Sequence, residues 1–140
     1  MSIIRNKKIY LERMARPLQE KLRVARYIPA HAKNVLDVGC ADGTITLSLA
    51  KLFPKIYFLG IDLEEDFIQE AQDKAKKEKV KNIGFEKIYL RDLLARPDRF
   101  DAVSFVSVLH EFYSYGEGTS SVLKALADAH ELALSLPTEI

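Results

Sequence analysis

The 140-residue chain holds a single cysteine, Cys40, so no disulfide can close within it, and a reducing cytoplasm is the expected home. No apolar run approaches the ~20 residues that span a bilayer, and Met1 to Lys8 lacks the apolar core of a secretion signal. A soluble, intracellular protein with no membrane partner is therefore expected. Neither sign of charge is in excess: 21 Lys and Arg against 20 Asp and Glu leave +1, no general reason to expect a nucleic-acid or membrane surface. Basic residues do gather before residue 34, from Arg5 to Lys33, and are read as a solvated helix face. His31, His110 and His130 are scattered, so no metal-ligand spacing exists and no metal is expected. Repeats and low-complexity linkers are absent, and the length suits one domain that buries about two-thirds of its unfolded surface.

What is present is alternation of strand and helix. Leu18, Leu22, Ala25 and Ile28 share one helical face between Pro17 and Pro29, which makes residues 1–33 a helical segment. Strands are expected at Asn34 to Val38, Ile56 to Ile61, Ile83 to Tyr89 and Ala102 to Val106. Ile45, Leu49, Leu52 and Phe53 form the buried face of the helix after the first strand. Phe67, Ile68, Ala71 and Ala75 do so for the next, whose acids Glu64 to Asp66 and lysines 74, 76 and 77 complement the helix dipole. A final helix is read from Ser120 to Leu134, capped by Thr119 or Ser120. Short connections between such elements imply parallel strands joined by right-handed crossovers. A ligand then belongs at the carboxyl ends of the strands, where Asp37, Gly39, Asp62, Tyr89 and Ser107 all fall.

The segment Val35-Leu36-Asp37-Val38-Gly39-Cys40-Ala41-Asp42-Gly43 carries the most information. A strand runs into a turn of small residues and a helix begins at about Thr44. Glycine at positions 39 and 43 permits positive φ and close approach of the backbone to a ligand. The helix N-terminus directs its free N–H groups at the same place. Gly60-Ile61-Asp62 ends a second strand roughly 20 residues further on, where an acid can grip ribose hydroxyls. A dinucleotide loop G-x-G-x-x-G starting at Gly39 would need glycine where Ala41 and Thr44 stand, which argues against a nicotinamide-dependent oxidoreductase.

These residues resemble the class I methyltransferases that use S-adenosylmethionine, with Asp37 two residues before the first glycine and Ala41 in place of the middle one. The resemblance covers about Asn34 to Glu111. It implies an α/β, Rossmann-like parallel sheet in the order 3-2-1-4 with flanking helices. That is a truncated class I core at 34–140 plus N-terminal helices at 1–33, all one domain. It further implies S-adenosylmethionine as cofactor, held by Asp37, Gly39, Cys40, Ala41, Gly43, Asp62, Leu63 and Ser107. Asp37 would orient the methionine part beside the backbone of Gly39 to Ala41, Asp62 would accept from the ribose hydroxyls, and Leu63 would pack near the adenine. The slot that in the family usually holds an acid for the adenine falls on Tyr89, leaving Asp92 or the backbone at Leu90 as alternatives. Ser107 and Val108 would line the methionine side. His110 and Glu111 would face the acceptor pocket, or His110 would only support it, and Phe112, Tyr113 and Tyr115 would wall a cleft or pack the loop. Cys40 reads as a packing residue rather than a nucleophile. No catalytic residue is assigned, since in-line methyl transfer depends chiefly on positioning.

Family members continue beyond the last helix into three further strands, and no such pattern follows here. The fourth strand would then be an exposed edge, implying a dimer or partner contact there or a piece of a longer protein. The expected function is methyl transfer to an acceptor of unknown identity, a small molecule being favoured. The alternative is a non-catalytic cofactor-binding module or subunit.

Overall fold

In the computed structural model, residues 22–105 and 119–133 are described. Four strands, β1 (Asn34–Val38), β2 (Tyr57–Asp62), β3 (Ile83–Lys87) and β4 (Ala102–Ser104), form one sheet in the order β3-β2-β1-β4. All three pairings are parallel. The helices are α1 (Thr44–Leu52), α2 (Glu65–Lys77), the single turn α3 (Leu90–Leu93) and α4 (Thr119–Ala133). The expected sheet order is the one observed.

Alternation along the strands gives the sheet two apolar faces, as a parallel sheet covered on both sides requires. Val35 and Phe58, paired in register, face Ile45, Leu49 and Ala50 of α1. Leu36, Val38, Leu59 and Ile61 face the other way, onto Leu90 and Leu93 of α3, Phe100 and Leu132 of α4. A third cluster joins Leu47 of α1, Ile68, Ala71 and Ala75 of α2, Phe85 of β3 and Cys40. The two layers fix where each strand must end, and hence where the loops that follow β1 and β2 meet.

Several boundaries differ from the sequence reading. Leu22–Tyr27 is a 3-10 helix rather than a regular turn of α-helix, and Ala25 and Ile28 still pack on the α1 side of the core. Leu52 is 59% exposed, and Leu47 and Ala50 take part in the core instead. β3 stops at Lys87, and Tyr89 already caps α3. β4 is three residues long. Pro17, Leu18, Val106 and Leu134 lie outside the described residues. Among the described residues no helix is long and apolar enough to cross a membrane.

Candidate cofactor site

The turn between β1 and α1 is built from left-handed backbone. Gly39 has φ 72°, Ala41 51° and Gly43 80°. Side-chain-bearing residues rarely adopt this region, so Ala41 needs outside support, and it has it. Its N–H donates to Asp62 Oδ2 at 3.0 Å, while the amides of Gly39 and Cys40 both donate to the carbonyl of Ile61, at 2.8 and 3.0 Å. Three successive amides of the turn are thus tied to the last two residues of β2.

Asp62 organises both loops. Its Oδ1 also accepts from the Glu64 N–H at 3.0 Å, which turns the chain into α2. Burial pushes its carboxyl above the usual range, opposed by backbone donors that include Glu64 and Ala41. A carboxylate offers about four acceptor positions, so these bonds leave capacity for a ligand's hydroxyls. Leu63, next in the chain, is 49% exposed, an apolar side chain held open beside the acid. These features fit a nucleoside bound by its sugar at Asp62 and its base against Leu63.

Asp37 stands at the carboxyl end of β1, 3% exposed, and accepts the Thr46 hydroxyl of α1 at 2.6 Å. Burial raises its carboxyl to about 7; the Thr46 bond opposes this and the charge of Asp62 adds to it. Ser104, its register partner on β4, has a buried hydroxyl with no hydrogen-bond partner among the described residues. The inner wall of the site is thus polar beneath an otherwise apolar sheet.

Two expected site residues behave differently in detail. Gly43 is expected to give room to a ligand, yet a Cβ there would lie 2.7 Å from the Phe85 ring and 2.8 Å from Ala71. Its role is the left-handed start of α1 and the close packing of the turn on α2 and β3. Cys40 points its side chain into the third core cluster, where burial raises the thiol far above its ordinary range. It packs, with its Sγ 3.7 Å from the Ala41 carbonyl. Of the adenine alternatives, Tyr89 is 62% exposed, Leu90 is buried in the core and Asp92 is exposed in α3. Ser107, Val108, His110, Glu111, Phe112, Tyr113 and Tyr115 lie outside the described residues.

Sequence reasoning missed Thr46, Asp42 and Lys74. Asp42 Oδ1 accepts from the Thr44 N–H at 3.1 Å and the Thr44 hydroxyl at 2.7 Å, a local turn that the Asp-Gly-Thr run could have suggested. Its Oδ2 is 2.7 Å from Lys74 Nζ, a contact across 32 residues with no local signal.

A family model described as a methyltransferase domain matches residues 30–138. An uncharacterised protein of Synechococcus sp. is 30% identical over 108 residues, which is 76% of this chain and 26% of that protein. A ubiquinone biosynthesis O-methyltransferase of Neisseria meningitidis is 35% identical over 88 residues, 59% of this chain and 37% of that enzyme. The N-terminal domain of EvdMO1, solved with SAH bound, has a TM-score of 0.68 at 23% identity over 82% of this chain and 45% of that one, a likeness of fold. The chain spans only 26%, 33% and 27% of the length of three curated relatives it matches. On the family match, the sheet order and the glycine turn together, the chain belongs to the methyltransferase domain family, within the class I S-adenosylmethionine-dependent methyltransferases.

Proposed function

We propose that this chain binds S-adenosylmethionine at the carboxyl ends of β1 and β2 and transfers its methyl group to a small-molecule acceptor. The observation that carries the reading is the Asp62 carboxylate, tied to the Ala41 amide within a left-handed turn and flanked by the exposed Leu63. In this reading Asp62 takes the ribose hydroxyls and Leu63 covers one side of the adenine. The backbone of Gly39, Cys40 and Ala41 runs along the methionine part, and Gly43 sets the start of α1 behind it. Asp37 orients the amino group from below. S-adenosylmethionine supplies a methyl group already activated on a sulfonium. The protein's part is to hold donor and acceptor in line, which contributes ~7–11 kcal/mol at best.

A second reading, a cofactor-binding module without turnover of its own, is supported by β4. It is the edge of the described sheet, pairing only with β1, and an open edge invites a dimer or a partner chain. The buried, free thiol of Cys40 fits a reducing, cytoplasmic setting.

Incubating the chain with methyl-labelled S-adenosylmethionine and a small-molecule extract separates the readings. Label transferred by the wild type and lost in Asp62→Ala supports the enzyme. Binding of the cofactor with no label transferred supports the module, and absence of both overturns the proposal.

A further inference from the structure

We propose that Lys74 is a positioning residue for the cofactor turn, holding the Asp42–Thr44 corner from α2 so that the Ala41 amide and Asp62 meet the ligand together. The inference rests on reading this site as the S-adenosylmethionine site.

Side chains on a helix lean toward its N-terminus, so Lys74, in the last turn of α2, reaches up toward the turn after β1. Its ammonium lies 2.7 Å from Asp42 Oδ2, and 3.4 Å from both the Asp42 carbonyl and the Thr44 hydroxyl. One helical turn earlier, Ala71 abuts Gly43 so closely that an added Cβ would be 2.8 Å away. The same face of α2 therefore grips the turn twice, once by packing and once by charge. Asp42 is largely covered, its side chain 20% exposed. It stands between two left-handed residues, Ala41 and Gly43. A covered carboxylate without a cation costs more than an open one, so this corner depends on Lys74. Burial would raise the Asp42 carboxyl, yet the Lys74 and Thr44 donors bring it below the ordinary range. That agrees with a carboxylate kept charged.

The connection matters because α2 starts at Glu65, three residues after Asp62, whose Oδ1 accepts from the N-cap Glu64. One helix is thus tied at its N-cap to Asp62, the last residue of β2, and near its foot carries the clamp on the glycine turn. Lys74 meets Asp42 and Thr44 at the back of the turn, so it acts through them.

The test compares Lys74→Met, which keeps the apolar stem, with Lys74→Arg, which keeps the charge. Each is titrated with S-adenosylhomocysteine, melted, and followed by amide hydrogen exchange at residues 39–44. Lys74→Met is expected to bind S-adenosylhomocysteine about five- to tenfold more weakly, the upper range of an ordinary hydrogen bond and less than a fully charged one, since Lys74 acts through the turn. Exchange at Ala41 and Gly43 should quicken, and Lys74→Arg should recover most of the affinity. Adding Asp42→Asn to Lys74→Met should weaken binding no further, since the two residues act as one. A lower melting temperature with unchanged affinity and unchanged exchange at Ala41 would overturn the inference and leave Lys74 a surface tie. If the wild type fails to bind while Lys74→Met still loosens the turn, the cofactor reading is at fault and not the clamp.

Discussion

At the scale of single residues, the site is a set of strained or buried groups held by specific partners. Asp37 shows the consequence for stability. Its native carboxyl is raised to about 7 from an unfolded value of 3.8. Between those values the native state holds a proton that the unfolded chain has lost, so stability falls as pH rises and levels off above about 7. Asp37→Asn should therefore raise the melting temperature at pH 8 and leave it nearly unchanged near pH 4, read by thermal melts across pH. A gain equal at both pH values would contradict titration of Asp37 as its origin. Gly43→Ala meets two obstacles at once, φ 80° and the Phe85 ring at 2.7 Å. It should cost about 2–4 kcal/mol in denaturant unfolding. Asp37, Gly39, Asp62 and the turn around them were legible because each sits at a fixed distance along one strand-turn-helix unit. The Lys74–Asp42 and Thr46–Asp37 contacts were not, because they depend on how helices lie over the sheet. The helix dipole is a sufficient reason for a lysine at position 74, and it conceals the second role.

At the scale of elements, ends are secured by polar side chains from elsewhere in the chain. The carbonyls at the end of α1 have no partners within the helix. Asn82 Nδ2, just before β3, shares its two N–H groups among the carbonyls of Ala50 in α1 and of Phe53 and Ile56 beyond it, at 2.8–3.0 Å. Asn82→Ala should cost about 2–3 kcal/mol of stability with cofactor affinity unchanged, since Asn82 lies at the amino ends of the strands. The end of α2 offers the opposite case. Lys79 is left-handed at φ 57°, and Val80 N–H closes on the Ala75 carbonyl at 3.0 Å, a helix stop that favours glycine. Lys79→Gly should stabilise the chain by roughly 0.5–1 kcal/mol in denaturant melts. Strand and helix identities were legible from periodicity, because a doubly covered sheet enforces apolar runs. Boundaries were not: β3 ends two residues before Tyr89 because α3 begins there, and Leu52, on the helix face read as buried, is exposed.

At the scale of the whole molecule, one parallel sheet brings three carboxyl strand ends side by side. β1 contributes Asp37 and the glycine turn, β2 contributes Asp62 and Leu63, and β4 contributes Ser104. The topology could be read from the sequence because crossovers of one hand leave few alternatives. The acceptor could not, since a fold hosts many chemistries. The edge position of β4 gives a prediction at this scale. If the edge recruits a second copy, light scattering will show a concentration-dependent dimer, and a monomer at all concentrations will rule self-pairing out.

The central claim is that Asp62 and the left-handed turn form one nucleoside site, and calorimetric titration with S-adenosylhomocysteine tests it most directly. The expected result is a wild-type Kd on the order of micromolar, lost in an Asp62→Ala chain that circular dichroism shows to be folded. Equal binding by that variant, or none by the folded wild type, would contradict it.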